Sequence, residues 1–237
     1  MSLILALDTS TDACSVSLNA NGVLHSLFEV AAKSHTQRLL PMVDEVLNIA
    51  GCELADLNAI AFGRGPGSFT GLRICAGIVQ GLAFGANLPV IPVSTLEAMA
   101  LGFYRAHADL DVPLLVALDA RMDEVYSALY RRSQKRSILV GEESVINPLF
   151  LADNTDIIKL KEDFVGIGPG WHYPTMQALN PQFVDLNVHP HAENIALIAA
   201  ELLADGQVVS ALDAQPVYLR DSVSWQKRQR IRPINEL

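Results

Sequence analysis

Leu3-Ile-Leu-Ala-Leu-Asp8 is an apolar run that stops at an aspartate, and Leu114-Leu-Val-Ala-Leu-Asp119 repeats that pattern about half a chain later. Each reads as a short strand buried on both faces. After the first come two more short runs, Cys14–Asn19 and Val23–Val30, with Asp12 and Asn21-Gly22 supplying the turns between them. Ser34-x-x-Gln37 has the form of a capping box and opens a helix to about Ala50, with Gly51 as its stop. Pro41 should kink that helix or begin its regular part. Asn58–Arg64 reads as a strand, Gly65–Thr70 as a loop, Gly71–Ala86 as a helix and Pro89–Val93 as a strand. Ser94-x-x-Glu97 caps a third helix to about His107. The second run is likewise followed by strands, Val125–Tyr130 and Ser137–Glu142, then a strand at Phe164–Ile167, an apolar helix at Asn194–Ala204 and an extended Pro216–Arg220. A β-β-β-α-β-α order begun twice predicts two related α/β halves, 1–108 and 109–237. The second is less regular, and its C-terminal segment is free to pack back on the first.

Composition narrows the function classes. The 237 residues are 50% hydrophobic and only 18% charged, which excludes a disordered chain. The net charge of −9 argues against a broad non-specific nucleic-acid binder. Cys14, Cys52 and Cys75 form no C-x-x-C pair, as expected of a reduced, cytoplasmic protein. The N-terminus lacks a basic region and reads as a strand rather than a signal peptide. The uncharged stretch Ile74–Thr95 is long enough to span a bilayer, but Pro89 and Pro92 interrupt it, so a helix followed by a strand explains it and no membrane is expected.

Gly63-Arg-Gly-Pro-Gly-Ser-Phe-Thr-Gly71 joins a strand to a helix, where backbone amides can hold an anion. It has neither the Gly-Lys-Ser/Thr ending of a Walker loop nor the third glycine of a dinucleotide fingerprint. A bare reading therefore favours a tight turn that packs the helix close to the sheet. On the helix that follows, Leu72, Cys75, Ala76, Val79, Leu82, Ala83 and Ala86 share one face. Ile74, Gly77, Ile78, Gly81 and Gly85 lie opposite, and Arg73, Gln80 and Phe84 occupy a flank. The three glycines cost roughly 2–3 kcal/mol of helix propensity together. Close approach of another helix would offset that. Two sources remain open at this point, a neighbour in the same chain and another protein. The preceding helix has a broad stripe of Leu39, Met42, Val43, Val46, Ile49 and Ala50, widened by Leu40 and Leu47. The two helices together would make an apolar docking face.

Catalytic groups are hard to find. His25, His35, His107, His172, His189 and His191 form no H-x-x-x-H pair, and His189-Pro-His191 is too tightly spaced for helical zinc ligation, so capping or surface roles are expected and no metal site. Asp8 and Asp119 end their strands where functional carboxylates often sit in α/β folds, although both could simply cap turns. Cys75 should be an inert core thiol. Ser68 does not fit a nucleophile elbow.

Asp8-Thr-Ser-Thr11, Ser34-His-Thr-Gln-Arg38, the Gly63–Arg73 stretch, Val93-Ser-Thr-Leu96, Leu118-Asp-Ala-Arg-Met122 and Pro216-Val-Tyr-Leu-Arg220 occur in that order. In these motifs, over nearly its whole length, the chain resembles the bacterial TsaB family, also called YeaZ. The resemblance implies an actin-like, Hsp70-like ATPase (ASKHA) fold of two βββαβα halves. It also implies a non-catalytic subunit in the synthesis of threonylcarbamoyladenosine, the modified base beside the tRNA anticodon. In that family the subunit pairs with a catalytic sister, TsaD, and the ATPase TsaE joins the pair. Family pairing uses the first two helices, which here would place His35, Leu39, Leu40, Val43, Leu47, Arg73, Ile74, Gly77, Ile78, Gly81, Phe84 and Gly85 at the interface. The same helices could pair two copies into a homodimer when TsaD is absent.

Working ATPases of this fold hold phosphate with D-x-G turns. The matching turns here, Asp8-Thr-Ser10 and Asp119-Ala-Arg121, have lost both glycines. Asp8, Ser10, Asp119, Arg121, Gly166 and Gly168 would be remnants of a nucleotide site. No cofactor of its own is expected, and ATP or ADP is left to a shared subunit interface. The alternatives are an independent small-molecule kinase or ATPase, which the missing glycines oppose, and a peptidase, for which no nucleophile and base are readable. Two basic clusters remain: Arg131, Arg132, Lys135 and Arg136 in a hairpin, and Lys227, Arg228, Arg230 and Arg232 in the tail. Without them nine bases face 26 acids, a net charge of −17, so any tRNA contact must come from the clusters, the tail above all, or from a partner.

Overall fold

A computed structural model describes residues 2–30, 34–134, 136–153 and 163–220. β1 (Leu3–Asp8), β2 (Ala13–Ala20), β3 (Val23–Val30), β4 (Ala59–Gly65) and β5 (Val90–Ser94) form one sheet in the order β3-β2-β1-β4-β5. β6 (Leu114–Arg121), β7 (Glu124–Ser133), β8 (Arg136–Ile146), β9 (Val165–Ile167) and β10 (Val184–Asp185) form the second in the order β10-β9-β6-β7-β8. Read from its β8 edge, the second sheet repeats the first strand for strand. In both, the first three strands are an antiparallel meander and the last two join in parallel. The sequence repeat is therefore a structural repeat.

Alternation along β1 explains the layers. Leu5 and Leu7 face α1 (His35–Ala50) and α2 (Phe69–Ala86), packing with Leu39, Met42, Val46, Cys75 and Val79. Ile4 and Ala6 face the other way, onto α4 (Ala192–Ala204) with Ile195 and Ala199. The helix α3 (Thr95–Ala106) joins the halves. Ala98 and Leu101 join that second layer, while Leu96, Met99, Phe103 and Tyr104 pack on Leu114, Val116 and Ile167 of the second sheet. The chain after α4 returns along the first half: Val209 bridges Val90, and Val217 N donates to Arg64 O at 2.8 Å.

The second half is less regular for a visible reason. Among its described residues, 3-10 turns at Pro148–Asp153, Pro169–His172 and Pro174–Leu179 stand around β9 where the first half has α1 and α2. Trp171 fills that layer with Phe164, Leu151 and Met176, and its indole Nε1 donates to Leu115 O at 3.0 Å.

Local expectations need some correction. Ser34 makes no side-chain cap hydrogen bond, so the first capping box is absent, and α1 starts on backbone bonds from Gln37 N and Arg38 N to Ser34 O. Gly51 does end α1 in the left-handed region, at φ 67°. Pro41 lies inside the helix. α2 begins two residues earlier than expected, because Ser68 Oγ accepts from Gly71 N at 3.4 Å and caps it. Ser94 supplies its half of the second box, accepting from Glu97 N at 3.2 Å. Residues 216–220 form no strand. By length and composition α2 could cross a membrane, yet Leu72, Cys75, Ala76, Val79 and Ala83 are buried within this chain.

Candidate functional site: the aspartate turns and the outer face of the second helix

The two aspartate turns come together at a cleft between the halves. It encloses about 480 Å³ and is lined by residues 10–12, 67–70 and 118–121, with Tyr126, Pro169, His172, His189 and Arg220. Of the residues expected as nucleotide-site remnants, Ser10, Asp119 and Arg121 line the cleft, whereas Asp8, Gly166 and Gly168 do not. Asp8 is fully buried beneath the turn. Gly166 faces the Trp171 ring, which a Cβ would overlap, and Gly168, at φ 98°, lies against Ala117 O and the Met99 methyl. Close packing against Trp171 accounts for Gly166, and against Ala117 and Met99 for Gly168.

The glycine loop is closed onto the first turn. Ser68 N donates to Ser10 O at 2.7 Å, and Thr9 Oγ1 donates to Gly71 O at 2.8 Å. A Cβ on Gly67 would overlap Ser10 O, and one on Gly71 would overlap Thr9 O. The close approach of loop and turn therefore requires glycine at both. The Ser68 and Gly71 amides are used inside the chain, and the lost D-x-G glycine is filled by Ser10, whose N and Oγ donate to Asp8 Oδ2 at 3.2 and 2.9 Å. Among the described residues Asp8 Oδ1 has no hydrogen-bond partner. Burial pushes the Asp8 carboxyl up to about 7, against the lowering effect of the Ser10 bonds. At the second turn, Asp119 Oδ1 accepts from Arg121 N at 2.8 Å and Tyr173 OH at 3.1 Å, while Oδ2 pairs with Arg121 Nη1 at 3.0 Å. Both carboxylates act as turn braces.

Nucleophile chemistry finds no better footing. Cys75 is fully buried, donates to Leu7 O at 3.5 Å and has its thiol pushed well up by burial. Cys14 is buried and its thiol is pushed up to about 12. His191 caps α4, its Nδ1 accepting from Glu193 N at 3.1 Å. Among the described residues no group of three His, Cys, Asp or Glu side chains could hold a metal.

The outer face of α2 is different. Leu72, Cys75, Ala76, Val79 and Ala83 are buried, so that face is the core side. Opposite it, a Cβ on Gly77, Gly81 or Gly85 would meet nothing within 4 Å. Phe84 beside them is 74% exposed, and Ile74 and Ile78 are half-buried. The neighbour that would justify three helical glycines is thus not among the described residues of this chain. The expected contribution of α1 needs correcting. His35, Leu39, Val43 and Leu47 are buried against the first sheet, and only Leu40 of the expected α1 set is exposed. Their stripe is the width that the sheet itself requires. Arg73 is exposed but engaged: its guanidinium lies 3.7 Å from the Phe69 ring centroid, and its Nε donates to Tyr218 OH at 3.0 Å.

The basic hairpin is also committed internally. Arg132 Nη1 donates to the carbonyls of His107, Ala108 and Leu110, and Arg136 pairs with Glu201. Lys135, Lys227, Arg228, Arg230 and Arg232 lie outside the described residues. Sequence reading missed a cluster that ties the halves together. Glu143 of β8 pairs with Arg64 at 3.2 Å and accepts from Tyr130 OH at 3.2 Å and from Ser94 Oγ. Its members are spread from residue 64 to residue 143 and share no local motif.

The chain is 45% identical over 94% of its length, and 97% of the relative's, to the tRNA threonylcarbamoyladenosine biosynthesis protein TsaB of Escherichia coli K12. It belongs to the TsaB family. The Haemophilus influenzae TsaB is 42% identical over 94% of this chain and 96% of its own. Residues 25–163 match the family model described as TsaD, tRNA N6-adenosine threonylcarbamoyltransferase. Among solved structures, YeaZ from Pseudomonas aeruginosa superposes with a TM-score of 0.86 at 45% identity, covering 92% of this chain and all of that one. Membership fits the doubled α/β architecture, and the TsaD-type match places the TsaB family beside a transferase of related fold.

Proposed function

We propose that this chain is a non-catalytic scaffold and activator in tRNA threonylcarbamoyladenosine biosynthesis, pairing with TsaD through the outer face of α2. The observation that carries this reading is the open glycine face: Gly77, Gly81 and Gly85 meet nothing, and Phe84 stands exposed beside them. A helix so smoothed can be approached closely by another helix, and the packing between them offsets the propensity lost. Leu40 of α1 is also exposed. The names of the relatives supply the pathway, and the TsaD-type match makes a partner of related fold a natural counterpart.

The closed loop supports the non-catalytic part. Asp8 is buried beneath its turn, and Asp119, although it lines the cleft, is engaged by Arg121 and Tyr173. This favours a supporting subunit over an independent kinase, and the buried thiols of Cys14 and Cys75 are not placed as peptidase nucleophiles. In the full reading the pair recruits TsaE in the cytoplasm, any ATP or ADP is held at the subunit interface, and the basic tail touches tRNA. Without TsaD, the same α2 face pairs two copies of the chain.

The deciding experiment measures threonylcarbamoyl transfer to tRNA by TsaD with and without this protein, alongside a binding titration. Omission should abolish or strongly reduce transfer, and Gly81→Arg should weaken TsaD binding at least tenfold while leaving the fold intact by circular dichroism. Unchanged association with Gly81→Arg would refute the α2 interface. Undiminished transfer without the protein would refute the activator role.

A further inference from the structure

A separate cavity of about 360 Å³ opens where α3, α4, the β2–β3 turn and the β7–β8 hairpin meet. None of its lining comes from α1, α2 or the aspartate turns. Leu24, Leu101, Leu197 and Ile198 give it apolar walls, and its size suits a small organic ligand.

The charges around it nearly all have partners. Arg105 bonds Glu193 at 2.6 Å and Asn194 Oδ1 at 2.7 Å. Arg136 pairs with Glu201 and lies 3.9 Å from Asp205. Arg132 is held by three carbonyls, and deeper in, Arg64 pairs with Glu143. Glu97, in the first turn of α3, is the exception. It lines the cavity and is only partly exposed, yet its carboxylate makes no hydrogen bond or ion pair among the described residues. Burial and the neighbouring Glu143 push its carboxyl up to about 7; Glu201 adds to this, and Arg64 and Arg136 oppose it. Among the described residues that carboxylate has no direct ion-pair partner, and the arginines near it, Arg64, Arg105, Arg132 and Arg136, already have acceptors.

We infer that this cavity binds a small molecule bearing a protonated amine on a short apolar body, with Glu97 accepting hydrogen bonds from the ammonium and Leu101 and Ile198 enclosing the body. An anionic ligand would meet Glu97 and Glu201 in the cavity lining and would have to break existing arginine pairs. A cation supplies the missing charge and screens Glu97 from Glu143.

The test uses n-butylammonium chloride titrated into the full-length protein, followed by amide NMR. Saturable shifts are expected at Glu97, Leu101, Leu197 and Ile198. Because the carboxylate must be ionised, affinity should be about tenfold higher at pH 8 than at pH 6 for a group titrating near 7. Glu97→Gln should abolish the pH dependence and weaken binding at least tenfold, and Leu101→Phe should block binding by filling the cavity. Propionate should not compete. Absence of saturable shifts, pH-independent affinity, unchanged binding in Glu97→Gln, or propionate binding at the same amides would each overturn the inference. Neither variant touches α2, so TsaD association should be unaffected, and the two readings fail separately.

Discussion

Replacing Asp8 with asparagine tests whether the first strand-end carboxylate is a turn brace or a reactive group. Asp8 is fully buried, and its carboxyl sits at about 7 against an ordinary 3.8. A carboxyl whose folded pKa is raised binds its proton more tightly in the folded chain than in the unfolded one. Its contribution therefore favours folding fully below pH 3.8, falls as pH rises towards 7, and is constant above that. About three pH units at ~1.4 kcal/mol each gives about 4 kcal/mol lost across the window. The asparagine side chain carries no charge at any pH and can still accept from Ser10 N and Oγ. Asp8→Asn should match the wild type at pH 4 and exceed it by up to about 4 kcal/mol at pH 8. Urea denaturation at half-unit intervals reads the difference between the two proteins, which cancels titrations they share, including that of Glu97. A stability gap that stays constant from pH 4 to pH 8, or an asparagine variant weaker than the wild type at pH 8, would show the burial argument to be wrong. If the proposed TsaD pairing through α2 holds, TsaD activation at pH 7 should be unchanged, since Asp8 lies buried beneath its turn and away from that face.

Gly71→Ala would press a methyl into Thr9 O and should cost about 3 kcal/mol in urea unfolding, whereas Gly81→Ala projects into open space and should gain about 0.8–1.0 kcal/mol in the free chain. Opposite signs at two glycines of one helix separate the packed glycine from the surface glycine. Thr9→Val removes the bond to Gly71 O and should destabilise by about 1 kcal/mol, read as a lower urea midpoint at unchanged slope. Ser94→Ala deletes both the α3 cap and a partner of Glu143, and should cost at least about 1 kcal/mol in thermal unfolding.

The doubled fold was legible because its signal is local and repeated. Apolar runs ending in Asp8 and Asp119, Asn21-Gly22 between strands and Gly51 after a helix each act within a few residues. The inner face of α2 was legible from periodicity alone. What misled was width. The α1 stripe of Leu39, Val43 and Leu47 looked wider than one contact needs, but a helix laid across a twisted sheet buries that breadth. Gly166 and Gly168 failed for another reason: a glycine signals close approach without naming what approaches, and here it is Trp171 and Ala117. Glu97 carried only a capping signal in sequence. Its raised carboxyl depends on burial beside Glu143 and Glu201, residues that only the folded chain brings near.

The closed loop and the open helix are two outcomes of one stretch of sequence. Gly63, Gly67 and Gly71 fall on the sheet side, where Asp8, Ser10 and Thr9 occupy the space that a Cβ would need. Gly77, Gly81 and Gly85 fall on the outer side, where nothing does. The first three are held by the fold itself, since any side chain there would force loop and turn apart. The last three are held by nothing among the described residues, and alanine at each would make a better helix by about 0.8–1.0 kcal/mol. A free chain carrying three such glycines is less stable than it need be by roughly 2–3 kcal/mol. That deficit is recovered only where another helix packs within reach of the bare backbone. The stability of the isolated chain and the affinity for a partner should therefore move in opposite directions as these glycines are replaced one at a time. A series in which alanine raised both would leave the outer glycines without a function at the interface.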